Sequence, residues 1–156
     1  MLTSPKLETK NVPLLRAHTV ILLDDDAAAL AALRRTLRGE PYELLTSDDP
    51  SRVLRWVETR DVSLVVSDLR MPGMEGTELL EGVRRRSPQT IGAVLTGYPE
   101  YLRLSPDLKN WVRRVIIKPW EEPRLRQTLR QLLREREESL SSEDPEEFEP
   151  DIGGEG

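Results

Sequence analysis

The chain has no cysteine and only one histidine among its 156 residues. Without thiols there is no disulfide framework, no thiolate catalysis and no zinc–sulfur site, which agrees with a reducing compartment; a cytoplasmic location is the expectation. No apolar stretch approaches the roughly 20 residues that a bilayer-crossing helix needs, so no membrane association is expected. The first residues, Met1 to His18, carry Lys6, Lys10 and Arg16 but no continuous apolar run, and do not read as a secretory signal. The body has no basic excess that would argue for direct contact with nucleic acid. The single imidazole, His18, precedes the first apolar run, and a lone histidine there reads as surface.

What remains is ordinary for one domain with a core and loose ends, with 37% apolar and 33% charged residues. The net charge of −5 is unevenly placed. Residues 139–156 hold seven acidic residues and no basic one, while the first 138 hold 23 basic against 21 acidic residues. The acidity is therefore a tail on a nearly neutral body. With few large apolar residues beyond Phe148 and Ile152, residues 139–156 are expected to stay disordered, as a solubilising end or a short partner-binding segment around Phe148. Residues 1–18 read as a flexible leader, and residues 19–138 as the folded domain.

Within 19–138, short apolar runs alternate with amphipathic stretches. Val20–Leu23, Tyr42–Thr46, Val62–Val66, Ile91–Leu95 and Val115–Ile117 have the length and β-branched content of buried strands. Helical spacing appears over Ala27–Arg38, after the Asp49-Pro50 start signal, over Glu75–Arg86, and over Glu121–Glu138 with Leu125, Leu129, Leu132 and Leu133. Pro99 and Pro106 interrupt the stretch before the last strand, so its helix should be short or bent. Five strand–helix alternations predict an α/β fold, a doubly wound parallel sheet covered on both faces. In such sheets chemistry gathers at the carboxyl ends of the strands.

Four clusters fall there. Asp24-Asp25-Asp26 closes the first strand; one aspartate serves as a helix cap, and a hard cation such as Mg2+ would relieve the repulsion among the others. Asp68 follows the third strand, ahead of a tight Pro72-Gly73 loop. Thr96 ends the fourth with Gly97 behind it, and Lys118 follows three β-branched residues at the end of the fifth. Singly these are caps, turn residues or snorkelling lysines. Together they supply metal ligands, a nucleophilic carboxylate, a hydroxyl and an ammonium, the inventory for phosphoryl transfer.

In this order and spacing the clusters resemble the receiver domain of bacterial two-component response regulators, over about Thr19 to Glu138. The resemblance implies a flavodoxin-like (βα)5 fold with strand order 2-1-3-4-5. It implies a stand-alone, chemotaxis-regulator-like protein of a phosphorelay, a phosphoprotein rather than an enzyme, with no organic cofactor. Asp68 matches the phosphoacceptor, taking an aspartyl phosphate from a sensor histidine kinase or a histidine phosphotransfer domain. Asp24, Asp25, Asp68 and the backbone carbonyl of Arg70 match the Mg2+ ligands, Asp24 acting through water. Thr96 matches the switch hydroxyl, Lys118 its partnering lysine, and Pro119 a proline whose preceding bond is usually cis. Arg70 and Tyr98 match positions that tune water access. Output would pass to an unidentified partner, and helix 4, strand 5 and helix 5 match the face through which receivers commonly dimerise or dock.

The chain departs from the pattern at Val115, where the family carries its switch aromatic. Trp111 and Trp120 stand nearby, and a core or surface role suits them better. A non-phosphorylated pseudo-receiver acting as an interaction module is therefore the second reading. A haloacid-dehalogenase-type phosphatase, built on Asp24-Asp25-Asp26 with Thr96 and Lys118, is the third; it leaves Asp68 unused.

Overall fold

The computed structural model describes residues 15, 17–71, 73–97 and 104–141. The leader before Leu15, Pro72, Tyr98 and the acidic tail from residue 142 lie outside them. The strands are β1 (Thr19–Leu23), β2 (Glu43–Ser47), β3 (Leu64–Ser67), β4 (Ile91–Thr96) and β5 (Val112–Ile117). The helices are α1 (Ala27–Thr36), α2 (Pro50–Thr59), α3 (Gly76–Arg86), α4 (Pro106–Trp111) and α5 (Glu122–Ser141). All strand pairs are parallel, in the order β2-β1-β3-β4-β5. This is the layout that the alternation and the resemblance together predict.

The period-two pleat divides the core into two layers. Val20, Leu22, Leu64, Val66, Ile91, Ala93 and Leu95 face α1 and α5, whose Leu33, Leu37, Leu125, Leu129, Leu132 and Leu133 complete that layer. Ile21, Leu23, Val65 and Val94 face the other way, against Val53 and Val57 of α2, Leu79, Leu80 and Val83 of α3, and Leu108 of α4. Each such side chain taken wholly out of water contributes about 1.5–3 kcal/mol, so strands buried on both faces must be apolar along their whole length.

Helix ends follow local chemistry. Asp26 caps α1 by accepting the Ala28 N–H, and Asp49 caps α2 through Ser51 with Pro50 in the first turn. Gly39, at φ +89°, takes the left-handed turn that ends the α1 segment. Helix α4 is only six residues long, as its prolines predict.

Two expectations are corrected. β5 begins at Val112, three residues early, because an edge strand tolerates the polar pair Arg113-Arg114 and a bulge beside Gly92 absorbs the extra residue. His18 is buried, not a surface residue: its Nδ1 lies 2.6 Å from Ser63 Oγ and its Nε2 2.8 Å from Glu137 Oε2. Three arginines of α5 also bind the fold: Arg136 is buried, reaching Asp61, Ser63 and the Gln89 carbonyl, while Arg126 and Arg130 bind the Thr36 carbonyl and Glu40.

Candidate functional site

The sheet ladder runs one residue beyond the strands and thereby sets the rim. Asp24 donates its N–H to the Ser47 carbonyl, Asp68 donates to Leu23, and Lys118 donates to Thr96, at 3.2, 3.1 and 2.9 Å. These backbone bonds hold the residues after β1, β3 and β5 side by side. Asp24, Asp25 and Asp68 each bring a carboxylate oxygen within 4.8 Å of the others. Asp24 and Asp68 are buried, Asp25 is exposed, and Thr96 is fully buried beside them at the end of β4.

Lys118 crosses the cluster. Its ammonium donates to Asp24 Oδ2 at 2.6 Å and to Asp68 Oδ2 at 2.9 Å. Burial pushes the Asp24 carboxyl above its ordinary range, and the bond from Lys118 pulls it part of the way back. Burial also opposes the charged ammonium of Lys118, but the hydrogen bonds to Asp24 and Asp68 outweigh it and hold that group above the usual lysine value. The second oxygens are tied to backbone: Asp24 Oδ1 accepts from Asp26 N–H at 2.9 Å, and Asp68 Oδ1 from Leu69 and Arg70 N–H at 2.6 and 3.3 Å. The Lys118–Pro119 bond is cis, as the resemblance implies.

The third aspartate of the first cluster stays out of the site. Asp26 is exposed and spends its carboxylate on the cap of α1. An Asp-x-Asp reaction pair therefore does not form, which removes the geometry that the phosphatase reading needs. Val115 is partly buried against the α2–α3–α4 layer. Trp111 lies over Gly92, where a Cβ would meet its ring at 2.2 Å, and Trp120 donates its indole N–H to Thr36 at 3.0 Å. Trp111 packs within the fold, and Trp120 both packs and bonds there.

One residue that shapes the site was not singled out in the sequence. Gly76, the first residue of α3, lies against the loop that carries Asp68, and a Cβ there would stand 2.0 Å from the Asp68 carbonyl oxygen. Its N–H donates to the Leu69 carbonyl. A glycine opening a helix directly after the Pro72-Gly73 loop is the signal that marks it.

An oxygen-only set of three convergent carboxylates suits a hard divalent cation such as Mg2+. Among the described residues no helix is long and apolar enough to cross a membrane.

Fold and rim together define a phospho-signalling class of domain, and the comparisons with known proteins name it. The family profile of the response regulator receiver domain matches residues 20–130, and the chain belongs to this family. Receivers are signalling domains of phosphorelays rather than enzymes in the usual sense, and phosphorylation and Mg2+ binding are general in the family. The hydrogenase transcriptional regulatory protein HoxA of Cupriavidus necator is 33% identical over 114 residues, 72% of this chain but 23% of that regulator. The transcriptional regulatory protein FixJ of Bradyrhizobium diazoefficiens is 30% identical over 125 residues, 80% of this chain and 60% of FixJ. The chain thus spans under two thirds of these relatives. Among solved structures, the signal receiver domain of an HD domain-containing protein from Pseudomonas fluorescens Pf-5 aligns with a TM-score of 0.72 and 30% identity, covering 80% of this chain and 92% of that one. A CheY-like receiver from Methanospirillum hungatei JF-1 aligns with a TM-score of 0.67 and 27% identity, covering 78% and 98%.

Proposed function

We propose that the chain is a phosphorylated switch in which Asp68 accepts a phosphoryl group from a phosphohistidine of a sensor kinase or of a histidine phosphotransfer protein. The observation that carries this reading is the bridge from Lys118 to both Asp24 and Asp68, with Asp25 alongside. Two buried carboxylates, an ammonium and a further acidic group thus share one rim, which supports the reading.

In the transfer an Asp68 carboxylate oxygen attacks phosphorus. The P–O bond forms as the P–N bond of the phosphohistidine breaks, and the imidazole leaves with the electron pair and takes a proton. Asp24, Asp25, Asp68 and the Arg70 carbonyl would hold Mg2+, which when bound neutralises charge on the phosphoryl oxygens. Lys118, released from its bridge, pairs with a phosphoryl oxygen, and the Thr96 hydroxyl donates to another. The same residues would bring a water to the acyl phosphate during slow self-dephosphorylation. The signal then leaves through a partner that reads the altered surface.

The test is acetyl phosphate with Mg2+, read by intact mass. Wild type gains about 80 Da, the mass of one phosphoryl group, while Asp68→Asn and chelator-treated wild type gain nothing. A wild type that stays unmodified, or an Asp68→Asn variant modified to the same extent, overturns the proposal. The first of these results would leave the interaction-module reading in its place.

A further inference from the structure

One ammonium serves two carboxylates at the rim: Lys118 Nζ lies 2.6 Å from Asp24 and 2.9 Å from Asp68. A flexible lysine stem is among the most costly side chains to order, so such a bridge needs a backbone held in one place. On the strand side it is held, because the Lys118 N–H donates to the Thr96 carbonyl. On the other side Pro119 has no N–H to give. Trp120 comes next, and its indole N–H donates to Thr36 Oγ1 at 3.0 Å, a contact across 84 residues.

Thr36 is a junction. It is the last residue of α1 and is buried. Its hydroxyl receives the lysine loop, and its carbonyl receives Arg126 Nε of α5 at 2.6 Å. The other end of the same helix is bonded to the acids. Asp26 caps α1 through the Ala28 N–H, and Asp24 Oδ1 accepts the Asp26 N–H at 2.9 Å. One stiff helix of ten residues, about 15 Å long, therefore ties the Asp24 carboxylate at its first turn to the lysine loop at its last.

We propose that Trp120 and Thr36 are positioning residues for Lys118: their hydrogen bond sets the lysine loop at the distance from Asp24 and Asp68 at which one ammonium reaches both. Without that bond the loop is fixed on the strand side alone, and the ammonium leaves the bridge for solvent. The positioning is a property of the resting protein. Its effect on the rate of phosphoryl transfer rests on the reading of Asp68 as the phosphoacceptor.

Two variants of Thr36 in the full chain separate the bond from packing. Thr36→Val keeps the shape and loses the hydroxyl, whereas Thr36→Ser keeps the hydroxyl and loses a methyl. The first readout is the Lys118 ammonium signal in NMR spectra of the nitrogen-labelled chain, which bonds to two carboxylates protect from exchange with water. It should persist in wild type and Thr36→Ser and vanish in Thr36→Val and Trp120→Phe. A signal equally strong in all four proteins overturns the proposal, and so does a loss in Thr36→Ser that matches Thr36→Val. The second readout is the rate of labelling by acetyl phosphate with Mg2+. Thr36→Val and Trp120→Phe should each be slower by about fivefold, the rate equivalent of one hydrogen bond. The combined variant should be no slower than either, and Thr36→Ser should match wild type. Losses that multiply in the combined variant overturn the proposal, because the two residues then act separately. A wild type that takes no phosphoryl group overturns the reading of Asp68 instead, and the ammonium signal still decides the positioning.

Discussion

Gly76 stands so close to Asp68 that a Cβ on the glycine would lie 2.0 Å from the aspartate's carbonyl oxygen. The obstacle is backbone, which cannot swing aside as a side chain can. Gly76→Ala must therefore shift α3 or the loop bearing Asp68. We expect a loss of about 1–3 kcal/mol in urea denaturation, the usual cost of overpacking. Mg2+ affinity should fall in the same variant, because one of three converging carboxylates moves. An alanine variant as stable as wild type would show that the loop yields freely.

Lys118 is the cation that compensates two buried carboxylates. Lys118→Met removes it while keeping most of the stem. Breaking a buried pair on one side costs about 3 kcal/mol at the lower end of the known range, appropriate for a lysine side chain that is 23% exposed. Saturating Mg2+ should raise the urea midpoint of Lys118→Met more than that of wild type, since the ion supplies the missing charge without competing with the ammonium. Equal Mg2+ effects on the two proteins would contradict the bridging role.

His18 predicts a dependence on pH. It is enclosed by Ser63 of β3's approach, Asp61 of the same loop, and Arg136 and Glu137 of α5. Burial lowers its pKa from 6.5; Glu137 acts against this and Arg136 with it. The unfolded chain thus binds a proton there that the folded chain refuses, so stability from this group is complete above pH 6.5 and falls as the pH drops below it. The slope is at most about 1.4 kcal/mol per pH unit for one proton. Urea midpoints taken across this window for wild type and His18→Gln should diverge, wild type having the steeper fall. Parallel profiles would remove His18 as the cause.

Trp120 ties the lysine loop to α1 through Thr36, whose hydroxyl is buried at the end of that helix. A double-mutant cycle with Trp120→Phe and Thr36→Val should give a coupling of about 1 kcal/mol, the net worth of one such hydrogen bond. Coupling near zero would mean that the indole only packs.

Most elements were readable from local pattern because their chemistry is local. Asp26 and Asp49 announce their helices by caps, and the leucines of α5 by their spacing. The four rim residues could be placed because a strand's last residue is an address that the strand itself defines. Other features had no local signature. Nothing in the neighbourhood of His18 marks it as buried, since its enclosing groups come from residues 61–63 and 136–137. β5 hides its first half because two arginines break the apolar run, and an edge strand can carry them. Gly76 was visible as a glycine but not as a contact.

By itself the amino-acid order determined the alternation of strand and helix, and with it the kinds of side chain that end each strand. Only the tertiary structure decided that Lys118 meets Asp24 across 94 residues and Asp68 across 50. It likewise sent Asp26 to a helix cap instead. The reason is that propensity and periodicity act over a few neighbouring residues, whereas the meeting of strand ends depends on the order in which strands pair. That order is settled by burial and crossover handedness over the whole sheet.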